Sequence, residues 1–323
     1  MKVNHVIPVL AVCLASFSAR AAELPGIPGF IDEMIARHQF KRAELESAFD
    51  RAQHLPSVIE IISRPSTAKP WLEYRASFVN PERIKFGLKF WQKYPLSLQR
   101  AEREFGVPQE IIVALIGVET IYGQDAGTYR TLDVLTTLAF DYPRRQEFFR
   151  SELENYLLLA REQQFDLLSI RGSYAGAIGI PQFMPSSYRN YAVDYNGDHI
   201  IDLLREPGDA IGSVGNYLKS YGWTNSVLVA VRAQIVEKHW VGEISAPRTL
   251  ADWSAVGIVP GEKLPQDQPA RLLDFTVAEG KELWLVFNDF EVITRYNNSD
   301  FYAMTVFQLA EELKAARKTS AAR

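Results

Sequence analysis

From Ile111 to Val118 the chain offers no polar residue, and Glu119 follows directly. Pro108 suits the first turn of a helix and Gly123 its end, so Val107 to Gly123 predicts a helix that lacks a solvent face. Such a helix has to be buried nearly all round. At helical spacing Glu119 shares a face with Ile112, Leu115, Ile116 and Tyr122, so its carboxyl is expected among apolar side chains. It also falls in the last turn, where the negative end of the helix dipole disfavours a carboxylate. Both effects raise a pKa. A glutamic acid still protonated near neutral pH can give a proton to a leaving oxygen. The same residue could instead be a structural carboxylate paired with a buried arginine, for instance Arg144 or Arg145.

A chain of 323 residues with 47% hydrophobic content is long and apolar enough for one large domain or two smaller ones. Its net charge of −4 provides no basic surface, so nucleic acid is not an expected partner. The first residues read as a secretory leader. Lys2 and His5 precede an apolar stretch from Val6 to Phe17, and Ala19-Arg20-Ala21 is a small-x-small cleavage site, which makes residues 1–21 the expected signal peptide. The stretch is too short to span a bilayer. The single cysteine, Cys13, falls inside it, which leaves the mature chain without a thiol or disulfide. Leu10-Ala11-Val12-Cys13 loosely resembles a lipoprotein box. A periplasmic location, soluble after cleavage, is the first expectation, and an outer-membrane lipoprotein anchored at Cys13 is the alternative.

Gly29 to Ser63 mixes charged and apolar residues at helical spacing and predicts two surface helices. Pro65, Pro70 and Pro81 bracket Trp71-Leu72-Glu73-Tyr74-Arg75, which reads as a loop carrying aromatics on the surface. From Glu82 to Tyr221 most of the chain reads as helix, interrupted at Gly172 to Ser187 and Asp194 to Gly208. Strand character is confined to Val227 to Val231, Leu272 to Val277 and Leu283 to Ile293, with Ala278 to Lys281 as a hairpin turn. A last amphipathic helix runs from about Phe301 to Lys318, with Asp300 as a candidate N-cap. The pattern is α+β, mainly α, with a small β element late in the chain.

Gly172 to Tyr188 combines small residues with aromatics and hydrogen-bonding groups. Small residues let backbone approach a flat ligand, Ser173 and Gln182 can bond hydroxyl and acetamido groups, and Phe183 and Tyr188 could pack on sugar faces. A tight turn between two helices would give the same composition. No phosphate-binding Gly-x-x-x-x-Gly-Lys pattern occurs in this segment.

Together these blocks resemble the membrane-bound lytic transglycosylase B family of peptidoglycan-cleaving enzymes. The matching segments are Ile116-Gly117-Val118-Glu119-Thr120, Asp141-Tyr142-Pro143-Arg144-Arg145, Gly172 to Tyr188, Asp209 to Val214 with Asn216-Tyr217, and Arg295 to Ser299. They span most of the chain beyond Trp71. The resemblance implies a lysozyme-like core over residues 106–225. It follows an N-terminal helical region (22–105) and precedes a small β-containing region (226–295) and a C-terminal helix (296–323) returning to the α body. It implies that Glu119 is the catalytic acid/base and that Tyr74, Arg144, Arg145, Ser173, Gln182, Phe183, Tyr296, Asn297 and Tyr302 form a glycan-binding cleft. The arginines would suit a lactyl carboxylate or a peptide stem. Each of these could be structural, Phe183 and Tyr302 most readily as ordinary core.

Asp194-Tyr195-Asn196-Gly197-Asp198-His199-Ile200-Ile201-Asp202 places oxygen-bearing side chains at loop positions one, three, five and nine, as in an EF-hand, with the Ile200 carbonyl at position seven. His199 stands where such a loop wants glycine, and position twelve is Arg205. In a longer loop Glu206 or Asp209 could close the shell, and the resemblance points to Asp209, in a structural Ca2+ site with Asp194, Asn196, Asp198 and Ile200. A solvated acidic turn is the other reading.

Glycosidases ordinarily use two carboxylates, and neither the Glu119 block nor the Gly-rich segment offers a second. A lytic transglycosylase needs one and no cofactor. It cleaves the β-1,4 bond between N-acetylmuramic acid and N-acetylglucosamine with formation of a 1,6-anhydro ring, so peptidoglycan glycan strands are the partner the resemblance implies. The alternatives are a hydrolytic muramidase on the same fold and a non-catalytic peptidoglycan-binding scaffold.

Overall fold

A computed structural model describes residues 21–64, 69–224, 228–236 and 246–321. Residues 1–20, which hold all but the last residue of the expected leader and include Cys13, lie outside the described residues, as do Pro65 and Val227. Three helices open the described chain: α1 (Ile27–His38), α2 (Arg42–Arg51) and α3 (Pro56–Ile62). Sequence periodicity predicts two helices on the surface here. Instead Phe30, Met34, Leu45, Phe49 and Val58 are buried in the main core, because each helix carries one apolar stripe that needs a partner.

The expected loop around Trp71 is a helix, α4 (Trp71–Phe78), followed by α5 (Pro81–Lys93) and α6 (Pro95–Phe105). Pro70 lies just before one helix and Pro81 and Pro95 open the next two, so the prolines delimit helices rather than break them. Trp71 is buried against Phe275 and Phe301, with ring centroids 4.5 and 5.2 Å away.

The apolar helix is α7 (Gln109–Thr120), and every residue from Ile111 to Val118 is buried. It is surrounded by α5, α6 and, further along the chain, the helices Pro207–Ser220 and Asp300–Ala321. It stops three residues before Gly123. Ile121 and Tyr122 turn left-handed, at φ 52° and 62°, and the Tyr122 N–H reaches back to the Ile116 carbonyl at 3.3 Å. Such φ values are strained for side chains of this size. Thr120 fixes the turn, donating through Oγ1 to the Ile180 carbonyl at 2.8 Å and accepting the Gly123 N–H at 2.9 Å.

Next come β1 (Tyr129–Arg130), α8 (Thr131–Asp141), α9 (Gln146–Glu162), β2 (Arg171–Gly172), α10 (Pro185–Tyr191) and α11 (Pro207–Ser220). Strands β1 and β2 form a two-residue antiparallel pair that ties the turn after α7 to the start of the Gly-rich segment.

The late β element contains β3 (Ala230–Ile235), β4 (Arg248–Thr249), α12 (Leu250–Ala255), β5 (Ile258–Pro260), β6 (Pro269–Val277) and β7 (Gly280–Val286). The strands form one antiparallel sheet in the order β4-β6-β7-β3-β5. Alternation sorts their side chains between two cores. Leu273, Phe275, Trp284 and Val286 face the main core, while Leu272 and Leu285 join Trp253 and Ile258 in a smaller one. Val277 pairs with Gly280, so the hairpin turn is Ala278-Glu279.

The expected strand from Leu283 to Ile293 ends at Val286. It gives way to α13 (Asn288–Tyr296), since Phe290 and Ile293, three apart, bury one helical face while Asp289 and Glu291 sit in the first turn. The chain then runs into α14 (Asp300–Ala321), packed along α7 and α13. The architecture is α+β and mainly α.

Candidate active site

Glu119 projects from the last turn of α7 into a group of tyrosines brought from three other helices. Tyr302, in the first turn of α14, donates its hydroxyl to Glu119 Oε1. Tyr302 is only 3% exposed, whereas Glu119 keeps a part-exposed edge. Tyr296, at the end of α13, stacks on Tyr302 with centroids 6.5 Å apart and planes 12° from parallel, and donates to the Pro181 carbonyl at 2.5 Å. Tyr74 of α4 lies close enough to the acid to feel its charge.

Burial pushes the Glu119 carboxyl up to about 7, against the smaller opposing effect of the Tyr302 hydroxyl, which favours the carboxylate. Burial, with the Glu119 charge added, raises Tyr302 and Tyr296 well above the usual phenol range and pushes Tyr74 up to about 12. These phenols therefore remain neutral donors wherever Glu119 titrates. The acid's setting is phenolic as well as apolar. No arginine pairs with it among the described residues, and neither does a second carboxylate.

The Gly-rich segment folds back on itself through bridges from Ile178 to Gly172 and Phe183. Gln182 is left-handed at φ 51° and its amide donates to Ala126 and Gly179 carbonyls at 3.1 and 3.0 Å. Ser173 Oγ accepts the Ala177 N–H at 3.1 Å. In this structure both side chains are therefore engaged in holding the segment's own shape, and both remain part-exposed.

Two assignments in this segment are corrected by burial. Phe183 is 2% exposed and packs between Tyr217 and Tyr296, at 5.4 and 5.8 Å, and Tyr188 is buried with its hydroxyl on the Ile201 carbonyl. Neither ring has a face for a sugar. Tyr302, by contrast, is not ordinary core, because its hydroxyl contacts the acid.

Arg144 and Arg145 lie exposed on the short turn after α8, with Arg145 stacked 4.1 Å over Phe148. Asn297 is exposed just beyond Tyr296. Sequence reading gave no role to Tyr174, which is 41% exposed and near enough to Tyr74 to raise its pKa. Its place in a Gly-rich segment with other aromatics was the available signal. A cavity of about 710 Å3 lies elsewhere, between Trp71, the sheet and the outer face of α14, and none of these cleft residues lines it.

In the acidic loop the Asp194 carboxylate accepts N–H groups from Gly197, Asp198 and His199, at 2.7 to 3.2 Å. His199 takes the left-handed conformation, φ 69°, that glycine usually supplies. Asp209, fully buried, accepts N–H groups from Tyr195, Asn196 and Asp202. The donors are hard oxygens, as calcium requires. Among the described residues no three acidic or histidine side chains converge in metal-binding geometry. Asp209 acts here as the loop's internal hydrogen-bond acceptor.

A family model described as the transglycosylase SLT domain matches residues 24–311. The chain belongs to this transglycosylase family. It is 43% identical over 306 residues to the membrane-bound lytic murein transglycosylase B of Escherichia coli K12, covering 92% of this chain and 84% of that protein. A soluble lytic transglycosylase from Pseudomonas aeruginosa superposes with a TM-score of 0.85 at 45% identity, covering 91% of this chain and all of that one. An Escherichia coli lytic transglycosylase solved in complex with calcium gives 0.86 at 43% identity, covering 92% and 95%. The fold is the lysozyme-like, mainly helical one of these relatives, and side chains of α4, α13 and α14 gather around the Glu119 carboxyl at the end of α7. No described helix is long and apolar enough to cross a membrane.

Proposed function

We propose that this chain is a lytic transglycosylase that cleaves the bond between N-acetylmuramic acid and N-acetylglucosamine in peptidoglycan, with Glu119 as its single acid/base. The observation that carries the reading is one carboxyl at the end of a buried helix, raised to about 7, bonded to a neutral phenol and to no second acid. Glu119 first protonates the glycosidic oxygen, and the bond from the anomeric carbon to that oxygen breaks. The substrate's acetamido oxygen steadies the positive charge, while the Tyr302 hydroxyl steadies the new carboxylate. That carboxylate then takes the proton of the muramic 6-hydroxyl as O6 closes on the anomeric carbon. The acid is regenerated and no water is consumed.

Tyr74, Arg144, Arg145, Ser173, Gln182, Tyr296 and Asn297 are proposed to hold the glycan. Phe183 supports Tyr296 from behind. The loop from Asp194 to Asp202, with Asp209, is proposed as a structural calcium site. Its pre-formed turn and the calcium complex of a 43% identical relative support this. The leader supports a periplasmic location. The four expected regions, from 22–105 to 296–323, are offered as domains on the same footing.

Mass spectrometry of muropeptides released from purified peptidoglycan, with Glu119→Gln in parallel, tests the reaction. Products one water lighter than hydrolysis gives, absent with the variant, are expected. Reducing-end products would make the chain a muramidase, and no cleavage would leave a binding scaffold.

A further inference from the structure

Arg83 breaks local rules without a local reward. It occupies the first turn of α5, at the positive end of that helix's dipole, with its own N–H capped by Asn80 Oδ1 at 2.9 Å. It is half-buried, its pKa is pushed down by that burial, and among the described residues no carboxylate lies within ion-pair distance of it. A buried cation without a carboxylate needs other oxygens to replace its water.

Those oxygens belong to the end of α7. Arg83 Nη1 donates to the Gly117 carbonyl and, at 3.4 Å, to the Val118 carbonyl, the peptide group that leads into Glu119. Because the Tyr122 N–H turns back to Ile116, the regular helical bond to the Val118 carbonyl is not made. Beneath this contact lies the Tyr122 ring, its hydroxyl buried and without a hydrogen-bond partner. A Cβ on Gly117 or Gly87 would come within 2.5 or 2.4 Å of that hydroxyl, so both glycines make room for the ring. The guanidinium also lies 5.3 Å over Phe78.

We propose that Arg83 is a positioning residue for Glu119: it holds the last carbonyls before the acid and sets a fixed positive charge at the helix end from which the acid projects. The inference rests on Glu119 being the acid and base. The charge opposes the helix dipole there and favours the carboxylate that exists between the two proton transfers. The titratable groups facing Glu119 are Tyr302 from α14, Tyr296 from α13 and Tyr74 from α4; those near Arg83 are Tyr122 and Glu82. Burial raises all four tyrosines, so they remain neutral where Glu119 titrates.

The test compares kcat, KM and the pH profile on soluble glycan strands for the full chain, Arg83→Met, Arg83→Lys and Glu119→Gln. Arg83→Met is expected to lower kcat roughly tenfold or more, keep KM within about twofold, and move the alkaline limb of kcat up by about half a pH unit or more. Arg83→Lys should hold the limb near its place yet recover only part of kcat, since an ammonium lacks the planar fork. If Arg83→Met folds and leaves both kcat and the limb unchanged, Arg83 is merely structural and the inference fails. If Arg83→Met does not fold, Arg83→Lys decides: reduced kcat with the limb in place supports the role, and unchanged kcat overturns it. An active Glu119→Gln would instead remove the proposed function itself.

Discussion

The hydroxyl of Tyr302 donates to the carboxyl of Glu119 across 183 residues of sequence, joining the first turn of the last helix to the last turn of the buried one. A neutral phenol can do this in both halves of the reaction, accompanying the acid when it is protonated and stabilising it when it is not. Removing the hydroxyl therefore acts on the carboxylate form. Tyr302→Phe is expected to raise the Glu119 pKa, shift the alkaline limb of the pH–rate profile upward and lower kcat about tenfold or more, because the charged form loses a donor. An unchanged limb would show that the contact does not tune the acid.

The wild-type pH profile has a definite sign. Glu119 must begin each cycle protonated, and its carboxyl titrates at about 7. At saturating glycan, kcat should hold below that value and fall as pH rises through it. A rate that climbs through the same range would mean that Glu119 starts as a base.

The same shift links to stability. Between the ordinary glutamate pKa and about 7 the folded chain binds a proton that the unfolded chain has released. Unfolding free energy therefore falls as pH rises through this window. Replacing the carboxyl by a neutral amide removes that penalty, so Glu119→Gln should be more stable than wild type by up to about 3 kcal/mol at pH 8 and nearly equal at pH 4. Urea unfolding at the two pH values measures the difference, and equal stability at both would mean that the carboxyl is not desolvated.

Phe183 separates packing from binding. Its ring is buried between Tyr217 and Tyr296, so Phe183→Ala should cost about 3–5 kcal/mol of stability, with activity falling because Tyr296 loses its support. A stable variant with weakened glycan binding alone would restore the ring to the cleft.

If the acidic loop binds calcium in the folded state only, Ca2+ at a hundred times its Kd adds about 2.7 kcal/mol. Thermal unfolding should rise with Ca2+ and fall back with a chelator, and Asp194→Ala with Asp198→Ala should abolish the response. Cleavage by the calcium-free chain below its Tm should be little changed. A chain indifferent to Ca2+ would make the loop a solvated turn held by Asp209.

The sequence by itself determined the elements whose signal is local. An unbroken apolar run that ends in one carboxyl predicts both a buried helix and a raised pKa, and both are found in α7 and Glu119. Alternation with a short turn located the β6–β7 hairpin, and the ordered blocks identified the family. Expectations failed where a residue's neighbours come from far along the chain. Trp71 reads as exposed between prolines until Phe275 and Phe301 cover it, and Phe183 reads as a sugar platform until Tyr217 and Tyr296 enclose it. The strand expected through Ile293 became a helix because the Phe290 and Ile293 spacing found a helical neighbour in α14. Tyr302 acquires its role only when α14 returns beside α7, and Arg83 only when the first turn of α5 packs against the Gly117 and Val118 carbonyls. Periodicity and composition record what a segment must bury; which group it is buried against depends on contacts between distant segments, and those exist only in the folded chain.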